Sequence, residues 1–141
     1  MASRILIVGA QPGAGTPLAI KLGLDGYDTY TAADAQEAAS VAHWWLPQVA
    51  VIDLGHRPDE QLAAVARLRH THPSLPLFSV ARQEDFVCEE EVERAGISVQ
   101  FTWPLDFREF RLALEWVIRD GAHAADPRLQ PPPAQVFPLQ R

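Results

Sequence analysis

Asp53 is the residue of this sequence best placed to do chemistry. It ends the run Gln48-Val-Ala-Val-Ile-Asp53, which puts a carboxylate at the carboxyl end of a strand pattern. Such a carboxylate can accept a phosphoryl group or help hold a hard cation, but a cation such as Mg2+ needs several oxygen ligands. A second candidate is the loop Gly9-Ala-Gln-Pro-Gly-Ala-Gly-Thr16, where glycines at a strand-to-helix turn would let backbone amides approach an anion. A nucleotide-binding loop of this length also wants a glycine and a lysine where Ala14 and Gly15 stand. The plainer reading of the loop is a flexible turn. The histidines are His43, His56, His70, His72 and His123. His70 and His72 are two apart and do not share a helix face. His56 with Asp53 makes two ligands, too few for zinc. Cys88 lies among carboxylates between Glu84 and Glu93, which disfavours a thiolate, and a lone cysteine forms no internal disulfide.

The elements that must position these residues alternate along the chain. Short apolar runs cover 4–8, 27–31, 48–53, 75–81 and 97–102, and helical patterns cover 15–24, 34–45, 59–71, 84–95 and 106–120. Five strand-then-helix units predict a parallel sheet with right-handed crossovers. The first, third and fourth strands are nearly continuous apolar runs, as strands covered on both faces should be. Asp34 with Glu37, and Asp106 with Glu109, have capping-box spacing. Gly26, Gly96 and Gly121 follow helices where a left-handed cap is wanted, and Pro47 and Pro73 should stop two others. The predicted fold is therefore α/β, a doubly wound five-stranded parallel sheet with five helices. In such a sheet the functional crevice lies at the carboxyl ends of the strands, which gathers Gly9, Ala10, Asp53, Ala81 and Trp103 at one end.

The chain has 141 residues, a size for one core, with 48% apolar and 21% charged residues. A net charge of -6 without a basic patch argues against nucleic acid as the partner. No apolar run is long enough to cross a bilayer. Met1 to Ala10 enters a strand pattern directly, so no secretory leader is expected and the cytoplasm is the expected compartment. After Gly121 the character changes. Pro127, Pro131, Pro132, Pro133 and Pro138 favour extended polyproline geometry, so 1–121 is read as the domain and 122–141 as a proline-rich tail.

In order and at the right spacing, several segments resemble a response-regulator receiver. Leu24-Asp-Gly-Tyr-Asp-Thr-Tyr-Thr-Ala32 resembles the turn into its second strand. Pro47-Gln-Val-Ala-Val-Ile-Asp-Leu54 resembles its phosphoacceptor strand, with Asp53 at the acceptor position. Ala95-Gly-Ile-Ser-Val-Gln-Phe-Thr-Trp-Pro104 resembles its fifth strand and Lys-Pro segment. The resemblance spans about residues 3–120 and implies a flavodoxin-like fold. It also implies that most phosphorylation chemistry is missing. The family's acidic pair reads Gly9-Ala10, its switch hydroxyl reads Ala81, its lysine reads Trp103, and its switch aromatic reads Gln100. Asp53, helped at most by a backbone carbonyl at Gly55, is too small a ligand set for Mg2+. Ser79 lies one pleat deeper than Ala81 and is not expected to substitute.

Outward-facing residues point to binding instead. In the fifth helix Phe107, Phe110, Leu114, Val117 and Ile118 form the core face, while Leu112 and Trp116 lie opposite, one turn apart. With Gln100, Trp103 and Arg108 they make a candidate face for a protein partner or a second copy of the chain. It would be built on the fourth helix, fifth strand and fifth helix, a surface that receivers commonly signal through. The tail residues Val136, Phe137 and Leu139 are another candidate cover. The leading reading is a receiver-like interaction module, without catalysis and independent of phosphorylation. The alternatives are a conventional receiver phosphorylated on Asp53, and a small anion or nucleotide binder using Gly9 to Thr16.

Overall fold

The computed structural model describes residues 2–9, 17–54, 58–82 and 89–119. Strands and helices alternate: β1 (Arg4–Val8), α1 (Pro17–Leu24), β2 (Asp28–Ala32), α2 (Ala35–Trp45), β3 (Val49–Asp53), α3 (Pro58–Thr71), β4 (Leu77–Arg82), α4 (Glu89–Arg94), β5 (Val99–Trp103) and α5 (Phe107–Arg119). The five strands form one parallel sheet in the order β2-β1-β3-β4-β5. The order reverses between β1 and β3, which is the switch point the sequence pattern requires.

Alternation along each strand divides the core into two layers. Leu6, Val8, Ala50, Ile52, Leu77 and Ala81 pack against α2 and α3. Ile5, Ile7, Val49, Val51, Phe78, Val80 and Phe101 pack against α1 and α5. In the second layer Phe78, Phe101 and Phe110 are fully buried, and each ring meets the other two at centroid distances of 4.9–6.1 Å. Tilted and edge-on geometry of this kind adds to what area burial alone supplies.

The caps form as the spacing predicts. Asp34 Oδ1 accepts from the Glu37 amide at 2.8 Å, and Glu37 reaches back to the Ala33 amide at 3.1 Å. Asp106 Oδ1 accepts from the amides of Arg108 and Glu109. Gly26 and Gly96 both have positive φ. α2 ends at Trp45, and its C-cap Leu46, the residue before Pro47, takes the left-handed conformation.

The turn before β5 is tied to α3 by one side chain. Arg69 donates to the carbonyls of Pro73 at 2.7 Å and Gly96 at 2.9 Å. Burial lowers its pKa from the usual arginine value. A Cβ added at Gly96 would lie 2.7 Å from Arg69 Nε, so glycine is needed there for room as well as for φ. Arg69→Ala is expected to lower unfolding free energy by about 1.5–3 kcal/mol in a urea titration, because charge-assisted bonds to two turns are lost together. Arg69→Lys should recover little of this, since an ammonium does not reproduce the guanidinium fork.

Candidate functional site

The carboxyl ends of β1 and β3 lie side by side, with Val8 opposite Ile52. Asp53 ends β3 in register with Val80 and is part-exposed. Gly9 follows β1 with φ +86°, and its amide donates to the Ala32 carbonyl at 3.0 Å. A Cβ at Gly9 would stand 2.6 Å from the main-chain oxygen of Asp53. Real Cβ atoms do not approach a carbonyl oxygen so closely, so glycine here is a packing requirement. The same Cβ would lie 3.2 Å from Gln61 Nε2. The Gln61 carboxamide thus reaches from α3 into the gap between β1 and β3.

Sequence reading did not single out Gln61, although a signal was present. Gln61, Val65 and Leu68 follow an i, i+4, i+7 spacing, and Gln61 is the polar member of an inward stripe. Residues 9–16 contain no acid, and a side chain at Gly9 would meet the main chain of Asp53. Among the described residues, no group of three His, Cys, Asp or Glu side chains is placed to hold a metal ion.

Ala81 is fully buried and pairs with Thr102 across β4 and β5. Beneath it, Ser79 pairs with Gln100. Ser79, Gln100 and Thr102 are all buried, which leaves a polar band in an otherwise apolar sheet face. The Ser79 hydroxyl finds no hydrogen-bond partner among the described residues.

This corrects one expectation for the interaction face. Gln100 is 1% exposed and cannot meet a partner. Its neighbours Val99 and Phe101 face the α1 and α5 layer, so alternation turns Gln100 to the opposite face, which is covered too. Arg108, Leu112 and Trp116 of the expected face lie on α5. Leu112 is 53% and Trp116 37% exposed, and both line an open groove of about 560 Å³ with Arg108. Arg111 and Glu115 form an exposed ion pair on the same helix at 3.3 Å. The backbone of Trp103 ends β5 opposite Arg82. Ala10, Gly55, the loop through Thr16, His56, Cys88, the side chain of Trp103 and the tail 122–141 lie outside the described residues. Gly9 is the exception in that loop, and its amide is already engaged by Ala32.

No family model matches the chain. Among curated proteins it is similar to the transcriptional regulatory protein PhoP of Escherichia coli O157:H7, at 27% identity over 133 residues. The match covers 94% of this chain and 60% of that protein. The virulence transcriptional regulatory protein PhoP of Salmonella typhimurium LT2 matches at 27% identity over 133 residues, 94% of this chain and 59% of that protein. Among solved structures, a CheY-like response regulator receiver domain protein from Methanospirillum hungatei superposes with a TM-score of 0.67 at 19% identity. It covers 86% of this chain and 98% of that one. In sequence and in fold the chain is similar to response regulators and their receiver domains. The chain spans about 60% of the length of the curated relatives it matches. NtrX from Brucella abortus shares the fold with a TM-score of 0.72 at 22% identity, covering 86% of this chain and 27% of NtrX. Among the described residues, no helix is long and apolar enough to cross a membrane.

Proposed function

We propose that this chain is an atypical receiver, acting in the bacterial cytoplasm as a non-catalytic protein-interaction module that does not depend on phosphorylation. Residues 1–121 form the module and 122–141 its tail. The observation that carries this reading is the fit of Gly9 against the main chain of Asp53, which leaves no room for an acidic side chain beside the acceptor position. Phosphoryl transfer to a carboxylate depends on charge neutralisation by metal and lysine, and Ala10 and Trp103 supply neither. The α5 surface around Arg108, Leu112 and Trp116 supports an interaction role, because it offers apolar area rimmed by charge to a protein partner or a second copy.

A conventional receiver phosphorylated on Asp53 is the second reading, favoured by a part-exposed carboxylate at the end of β3. Amide NMR spectra and thermal melts with millimolar Mg2+ and beryllofluoride separate the two. No shift at Asp53 and no change in Tm is the expected result. A saturable shift centred on Asp53 would establish the second reading. In the same samples, Leu112→Asp should leave the melt unchanged while abolishing any concentration-dependent self-association seen by scattering.

A further inference from the structure

The amino end of the sheet, away from Asp53, carries an open groove of about 550 Å³. Leu46 and Pro47 after α2, Leu75 and Pro76 before β4, and Val117 and Ile118 near the end of α5 line it. Leu46 is the unusual member. Its φ of 55° and ψ of 61° make it the one non-glycine residue with positive φ among the described residues, and it is 65% exposed. The left-handed conformation crowds a leucine's Cβ against the following carbonyl, and helices usually meet this position with glycine or asparagine. An exposed leucine therefore gains nothing here from backbone or burial. Its position is held nonetheless, because its amide donates to Ala42 and its carbonyl accepts from Arg4 Nε. Trp44, two residues earlier, is 61% exposed.

We propose that the chain's own segment 130–139 occupies this groove, with Val136, Phe137 and Leu139 covering Leu46, Leu75, Val117 and Ile118. Where the segment departs from the domain supports this assignment. α5 ends at Arg119, one residue beyond Ile118, so the tail leaves from the groove's own wall. Residues 120–129, which link Arg119 to that segment, span at most about 35 Å when extended. A tethered segment of this length acts at high effective concentration. The match of chemistry supports it as well. Residues 130–140 carry no charge, and proline-rich segments dock in apolar grooves at low ordering cost. The outer face of α5, the alternative site for the tail, is ringed by Asp106, Arg108, Glu109, Glu115 and Arg119 and suits a charged partner better. Tail docking at the amino end of the sheet is independent of phosphorylation at Asp53.

Full-length chain labelled for NMR tests it directly. Nuclear Overhauser contacts from the Phe137 ring to the methyl groups of Leu75, Val117 and Ile118 are expected, and Phe137→Ser should move those methyl resonances. Tryptic cleavage after Arg128 should then accelerate about tenfold, the factor that corresponds to one modest contact. Leu46→Gly suits the left-handed backbone, so it should keep the domain folded while releasing the tail to a similar extent. Random-coil shifts for Phe137, unchanged cleavage in both variants, or contacts that appear only between differently labelled copies would each overturn the proposal.

Discussion

Phe110→Ala is expected to remove about 3–5 kcal/mol of stability, the usual cost of deleting a fully buried aromatic side chain. Phe110 sits where α5 crosses the sheet, with its ring centroid 4.9 Å from Phe101 and 6.1 Å from Phe78. All three rings are sealed from solvent, so the vacated space has rigid walls and collapses poorly. A loss of that size is a large share of the roughly 5–15 kcal/mol that holds a small domain together. Urea titration should show a much lower midpoint with an unchanged slope, the mark of lost stability without a change in the unfolded state. Phe110→Leu should cost less than half as much, because it fills most of the volume. If the alanine variant lost under 1 kcal/mol, the rings would not be the centre of this layer.

Gly9→Asp is the second large effect, and its interest is that restoring a carboxylate should fail. The substitution looks like a repair, since an acid after β1 is what Mg2+ coordination beside Asp53 would require. The added Cβ would instead lie 2.6 Å from the Asp53 carbonyl oxygen, on a residue with φ of +86°. Strain of both kinds should destabilise the fold by about 2 kcal/mol or more. Gly9→Ala should lose nearly as much, which separates backbone strain from charge repulsion between two carboxylates. Mg2+ titration of the aspartate variant should give no rise in Tm. A Mg2+-dependent rise would mean that the backbone relaxes readily, and that Gly9 is a dispensable substitution in a pocket still built for metal.

The fold was legible because each strand carries its own burial pattern. β1 matches the apolar run Arg4 to Val8 residue for residue, and the glycines after α1 and α4 took positive φ as their positions required. The edges were less legible where a turn captures apolar residues. Leu75 reads as strand but donates its amide to His72 in a turn, so β4 starts at Leu77. Tyr27 similarly donates to Leu22 in the cap of α1, and β2 begins one residue later. The site was legible as a set of missing groups, and much less so as geometry. Nothing in the string of residues gives the distance between Gly9 and the Asp53 backbone, because it depends on how two strands far apart in sequence approach. Gln100 was misplaced for a different reason. It was put on the partner face because it aligns with a receiver's switch aromatic, and alignment does not show that its side chain turns to a covered sheet face.

The covering of one sheet face by helices far apart in sequence has a consequence for biosynthesis. α1 and α5 together seal the layer that holds Val49, Val51, Phe78 and Val80. A nascent chain emerging from the ribosome produces those strands long before Phe110 and Leu114 exist. Throughout that interval half of the layer's lid is missing, and an apolar surface that the finished protein never displays faces the cell. Folding of this layer is therefore gated by completion of α5, and the growing polypeptide should depend on chaperone protection during elongation.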